Sequence, residues 1–102
     1  MSDCIFCKLK ETLPDEAFVY RDEYCYAIND INPKAKHHIL VIPNEHVASL
    51  NEVQDTMLIK YMFDAIKKIT IDNNITEYKT LINTGKGAGQ EVFHLHIHIL
   101  AN

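Results

Sequence analysis

Hydrophobic and polar positions along the chain fall into a few periodic stretches. Between Val92 and Leu100, apolar residues and histidines alternate strictly, with Leu95, Ile97 and Ile99 set against His94, His96 and His98. A period of two predicts a strand with one face buried and the other carrying all three imidazoles, about 7 Å apart at roughly 3.4 Å per residue. Upstream, Phe18–Tyr20 and Tyr24–Ile28 read as two strands joined by the polar turn Arg21-Asp22-Glu23. His38–Ile42 is almost wholly apolar and ends at Pro43, the pattern of a central strand. Ser49-Leu50-Asn51-Glu52 fits the Ser-x-x-Glu capping box and predicts a helix start. Val53, Met57, Tyr61, Ala65 and Ile69 then recur every four residues, widened by Leu58, Met62 and Ile66, so this helix should reach about Ile71 and stop at Asp72-Asn73-Asn74. Tyr78–Asn83 reads as a further strand, and the loop Gly85–Gly89 leads into the histidine strand. Residues 4 to 11, with Ile5, Phe6 and Leu9 on one side, predict a short helix or turn ended by Pro14, and Asn29–Lys36 a loop built on Pro33. The order β-β-β-α-β-β predicts an antiparallel α+β domain of about five strands, with the long helix on one sheet face.

Length and charge narrow this picture. The 102 residues fit a single domain, 1–102, and a hydrophobic content of 47% supplies a core. A net charge of −4 and a pI near 5.8 argue against loose electrostatic binding of nucleic acid, while leaving room for a small anion held locally. No leader pattern and no apolar run of ~18 residues is seen, so the expectation is a soluble, cytoplasmic protein with no membrane partner. Three cysteines, two of them in Cys4-x-x-Cys7, suit a reducing compartment and a metal site better than a disulfide framework.

The candidate chemistry centres on the histidines. Three on one flat strand diverge too far to share a metal ion, which favours chemistry on a bound substrate. Neutral imidazole serves there as nucleophile, base or hydrogen-bond donor. The Gly-x-Gly-x-Gly run lies between two strands and not ahead of a helix, which rules against Rossmann and P-loop folds. It reads either as an ordinary turn or as a backbone nest that offers N–H groups to a phosphate. Cys4 and Cys7 form half of a zinc site and need two more nitrogen or sulfur ligands.

His94-Leu95-His96-Ile97-His98-Ile99-Leu100 resembles the His-x-His-x-His-x-x signature of the histidine-triad (HIT) family of nucleotidyl hydrolases and transferases. Cys4-Ile5-Phe6-Cys7-Lys8, Asn29-Asp30-Ile31-Asn32-Pro33, His38–Pro43 followed by His46, and Gly87-Ala88-Gly89-Gln90 resemble the family in the same order, most closely its Hint-type branch. The resemblance covers nearly the whole chain.

It implies a HIT-like sheet, a homodimer, and a purine nucleotide or nucleotidyl conjugate as ligand. His96 would attack the α-phosphorus and form a nucleotidyl-imidazole that water resolves; His98 would donate a hydrogen bond to the phosphate or leaving group, and His38 would stand near the phosphate. Asn83, Gly89 and Gln90 would surround the phosphate and Asp30 would accept from the ribose hydroxyls, while Phe6, Leu9, Ile28 and Ile31 would wall the base. Structural zinc would be held by Cys4, Cys7, His46 and His94, and no catalytic magnesium is implied. Cys25 and His37 are left as core or surface residues. In two places the chain departs from the Hint-type pattern: Glu91 stands where that branch often has Ser, and the sequence ends at Asn102, four residues after His98. Purine nucleoside 5′-phosphoramidates are the expected substrates. Alternatives are a dinucleoside polyphosphate hydrolase of the Fhit kind, a nucleotide-binding regulatory module with little turnover, and a purely structural zinc module, which would leave His96 and His98 without a role.

Overall fold

Five antiparallel strands form one sheet in the order β1-β2-β3-β5-β4, in a computed structural model that describes residues 3–102. The elements are α1 (Ile5–Thr12), β1 (Phe18–Arg21), β2 (Cys25–Asn29), β3 (His37–Pro43), α2 (Met57–Asp72), β4 (Lys79–Leu81) and β5 (Ile97–Ala101). This is the expected α+β architecture, with one long helix and a short N-terminal one.

β3 lies in the middle and has no solvent face. Ile39 and Val41 pack with Ile97, Ile99 and the α2 residues Met62, Ala65, Ile66 and Ile69, while Leu40 and Ile42 pack with Phe6, Tyr26 and Ile28 on the opposite side. Burial on both faces is why the strand reads as a nearly continuous apolar run. α1 is tied to the second face by the Tyr26 hydroxyl, which donates to the Phe6 carbonyl at 2.5 Å.

The long helix starts later than its capping box predicts. Leu50–Glu52 form a separate 3₁₀ turn, Ser49 makes no side-chain cap, and the chain is extended at Val53. The helix opens instead after Asp55, whose carboxylate accepts the Met57 N–H at 3.0 Å, a competing signal in the same segment. Val53 still packs against the core, so it belongs to the hydrophobic stripe without belonging to the helix. At the other end Asn73 bonds back to the Ile69 carbonyl and Asn74 takes a left-handed conformation, as helix-ending Asn residues do.

The histidine stretch also differs from one long strand. Its ladder covers only Ile97–Ala101, so His94 and His96 precede it. The last β3 residue paired with β5 is Val41, and beyond Pro43 the next bond is from the Leu95 N–H to the Val47 carbonyl. The chain keeps its alternation without the ladder: Leu95, Ile97 and Ile99 are all buried against α2. β4 is likewise shorter than Tyr78–Asn83 and forms an exposed sheet edge.

Candidate active site and metal centre

β3 and β5 bring two histidines together by register alone. Leu40 faces His98 and His38 faces Leu100, so His38 and His98 are diagonal neighbours on the sheet face opposite α2. His38 is buried, and its Nδ1 accepts the Lys34 backbone N–H at 3.0 Å. Its Nε2 therefore carries the proton, which points to His98 Nδ1 at 2.9 Å, with an Asp30 carboxylate oxygen 3.5 Å away. With Nδ1 accepting, neutral His98 holds its proton on Nε2, the nitrogen left for the cleft. Asp30, His38 and His98 also lie close enough together to bridge an ion, but this hydrogen-bond chain already engages both His38 nitrogens.

His96 is set the opposite way. Its Nδ1–H donates to the His94 carbonyl at 2.8 Å, which leaves the Nε2 lone pair unprotonated and available. The His96 and His98 ring centroids are 5.0 Å apart, closer than the 7 Å strand repeat because the rings tilt toward each other. Burial pushes the His96 pKa below the ordinary imidazole value, partly offset by its bond to the His94 carbonyl. Burial, reinforced by the neighbouring His96 and His38 rings, takes His98 down to about 4. His98 is thus neutral at pH 7.

A cleft of about 340 Å³ opens onto these two rings. Phe6, Leu9, Ile28, Ile31, Asp30, Asn83 and Gly89 all line it with His96 and His98. Ile31 is 92% exposed, so it forms an open rim rather than a closed wall. Ile5, Leu40 and Val92 line the cleft as well; for Leu40 the signal lay in its alternation with His38 along β3. A larger cleft of about 770 Å³, between α2 and residues 45–55, touches none of the residues expected around the substrate, and it is the smaller cleft that carries convergent chemistry.

Two expectations for the glycine loop change. Gln90 is buried and does not line the cleft: its side chain accepts the Gly85 N–H and donates to the Ala48 and Val92 carbonyls, so it braces the loop. The N–H groups of Ala88, Gly89 and Gln90 bond to carbonyls within the loop and form no open nest. Gly89 closes the 3₁₀ turn Lys86–Ala88 at φ +91°, where a side chain is disfavoured, and a Cβ there would stand 3.4 Å from the Asn83 amide. Asn83 in turn donates to the Ala88 carbonyl at 2.7 Å.

On the far side of Phe6, Cys4, Cys7, His46 and His94 converge, with one ligand atom from each and all four within 4.8 Å of one another. His94 Nδ1 stands 3.2 Å from Cys4 Sγ, 3.6 Å from Cys7 Sγ and 3.1 Å from His46 Nδ1, while Cys7 Sγ and His46 Nδ1 are 3.5 Å apart. One nitrogen cannot satisfy three neighbours by hydrogen bonding. A tetrahedral zinc with ordinary Zn–S and Zn–N lengths sets its ligands about 3.3–3.8 Å apart, close to the spacing seen. The donor set therefore fits zinc. His94 Nε2 donates to the Pro43 carbonyl at 2.8 Å, which fixes the tautomer and turns Nδ1 toward the cluster. Burial, with the nearby His46, lowers the His94 pKa and keeps the ring neutral, the form a metal requires. The Phe6 ring meets both His94 and His96 edge-on, at 5.9 and 5.1 Å, and so separates the cluster from the cleft.

Comparison with known proteins agrees with this geometry. A family model described as the HIT domain matches residues 11–102. The chain is 44% identical to protein HitA of Neisseria gonorrhoeae, across 98% of this chain and 96% of that protein. A crystal structure of a histidine triad protein from Clostridium difficile superposes with a TM-score of 0.92 at 39% identity, covering 100% of this chain and 92% of that one. A HIT family hydrolase from Legionella pneumophila superposes with a TM-score of 0.90 at 34% identity, covering 98% and 93%. With its sheet, its histidine row and its sequence all in agreement, the chain belongs to the HIT domain family.

Proposed function

We propose that the protein is a nucleotidyl hydrolase that cleaves purine nucleoside 5′-phosphoramidates or related conjugates and releases a nucleoside monophosphate. The observation that carries this reading is the pair of opposed tautomers: His96 presents a bare Nε2 and His98 a protonated Nε2 to one cleft. The nucleoside lies among Phe6, Leu9, Ile28 and Ile31, with Asp30 accepting from the ribose, and Asn83 and Gly89 flank the phosphate. His96 Nε2 gives its lone pair to the α-phosphorus. The P–N bond breaks, and the nitrogen, protonated from solvent, leaves as an amine with the bond's electron pair. His98 Nε2–H donates a hydrogen bond where charge builds up, and His38 holds that ring in place through Nδ1. Water then attacks phosphorus and releases a proton to solvent, the electron pair of the P–Nε2 bond returns to His96, and the monophosphate departs. Splitting one displacement into two, with positioning and hydrogen bonding supplying most of the stabilisation, is the ordinary economy of covalent phosphoryl-type transfer.

Zinc, held by Cys4, Cys7, His46 and His94, would supply structure here, tying α1 and its Phe6 wall to the segment leading into β5. A homodimer across the β4 edge fits the exposed Leu81 and Tyr78 there, and light scattering tests it. Dinucleoside polyphosphates are the second reading. Against them stands the cleft's charge: among the described residues its lining carries the carboxylates of Asp30 and Glu91 and no lysine or arginine to meet a polyphosphate.

The test is release of AMP from adenosine 5′-phosphoramidate, with mass spectrometry of acid-sensitive adenylyl-protein after rapid quench. Turnover with adenylyl on His96 is expected, and AMP binding without turnover would favour a regulatory module instead.

A further inference from the structure

The cleft that holds His96 and His98 does not end at the phosphate position. A second cleft, of about 460 Å³, abuts it and shares the lining residues Ile5, Glu91 and Val92. Glu91 therefore stands on the ridge between the two. Its side chain is exposed, and among the described residues no hydrogen bond or ion pair engages its carboxylate. Among the described residues, the only other carboxylates lining the clefts are Asp30 on the nucleoside side and Asp3 on the far side, and neither cleft is lined by a lysine or arginine. A zinc ion held by two thiolates at the adjoining Cys4 and Cys7 would add no net charge that cancels Glu91. Apolar surface from Ile5, Val92 and the half-exposed Phe93 completes the second cleft.

A carboxylate beside the site of phosphoryl transfer repels an anionic ligand unless that ligand brings a positive charge of its own. The nucleoside and α-phosphate account for the first cleft, so the group that meets Glu91 is the one leaving phosphorus. We propose that Glu91 determines leaving-group specificity, favouring nucleotidyl conjugates whose leaving amine carries a second, ammonium group on a short alkyl chain over those whose leaving group is neutral or carries a carboxylate. This rests on the hydrolase reading above. The reacting bond is unchanged: P–N breaks, the amine leaves with the electron pair, and the distal ammonium pairs with Glu91 without reacting.

The experiment compares three adenosine 5′-phosphoramidates, N-linked to 3-aminopropyl, propyl and 2-carboxyethyl groups, with the wild-type protein and Glu91→Gln. For the wild type, kcat/KM should fall in that order, by about tenfold from first to last at low salt, since a partly exposed charge pair contributes a few-fold in each direction. Glu91→Gln should bring the three within about twofold, and 0.5 M NaCl should narrow the wild-type spread. The same three ligands are also titrated against His96→Ala and the His96→Ala, Glu91→Gln double variant, where dissociation constants should show the same order and the same collapse. An equal spread with and without Glu91, or a preference for the propyl compound that survives in Glu91→Gln, overturns the proposal. If no compound is hydrolysed by the wild type, the hydrolase reading fails, and the dissociation constants still decide whether Glu91 selects the charge.

Discussion

His94 and His96 stand two residues apart on the same extended segment, yet their rings are set in opposite ways, and the difference lies in which nitrogen is occupied. His94 gives its Nε2–H to the Pro43 carbonyl and turns Nδ1 to two thiols and a second imidazole. His96 gives its Nδ1–H to the His94 carbonyl and turns Nε2 to the cleft. Both rings are neutral and both are pushed toward that state by burial. One backbone carbonyl per ring is enough to leave Nδ1 free to face a metal in the first and Nε2 free to attack a substrate in the second.

The sharpest way to break this contrast is to remove each ring's chemistry and read both outputs. His96→Ala should lower kcat/KM at least ~10²-fold, the scale of losing a catalytic group, while bound zinc measured by plasma mass spectrometry stays the same. Equal loss of metal and activity would mean that the two regions are one. The reciprocal change, Cys4→Ser, should release zinc to a mild chelator and lower the thermal midpoint by about 10 °C. That corresponds to roughly 2 kcal/mol for a domain of this size. Its AMP affinity should fall less than its metal affinity, because Phe6 keeps the Tyr26 bond that anchors α1.

The His98 pKa supplies a smaller effect with a definite sign. Its folded value, about 4, lies below the ordinary 6.5, so between those values the unfolded chain binds the extra proton. Its contribution is intact above pH 6.5 and is lost as pH falls toward 4, so thermal midpoints should decline through that window. His98→Gln should flatten the decline, and an unchanged profile would show that the ring is not desolvated as described. The smallest effect separates two caps: Asp55→Ala should cost about 1 kcal/mol in urea unfolding, and Ser49→Ala a few tenths at most.

Much of this was legible in the sequence because side-chain periodicity survives where hydrogen-bond ladders do not. Leu95, Ile97 and Ile99 alternate into the core although the β5 ladder begins only at Ile97. The helix start is ambiguous in the sequence because Ser-x-x-Glu and Asp-Thr signals lie six residues apart and only packing chooses between them. Gln90 illustrates the other limit. A polar residue beside a glycine turn suggests a ligand contact, and nothing local reveals that the Ala48 carbonyl, 42 residues away, has claimed its amide. The four-residue cluster that could hold a metal is legible only in part: Cys4-x-x-Cys7 announces half a set, and His46 and His94 come only from the family resemblance.

Pro43 ends the pairing of β3 and offers its carbonyl to His94. A residue with no amide hydrogen thus decides both how far the sheet extends and which side of an imidazole a metal would meet. Moving that strand end by a single position would aim the carbonyl at β2 instead of at the β5 side and leave His94 Nε2 without an acceptor, so the length of a strand in this protein is also a statement about how an imidazole is turned.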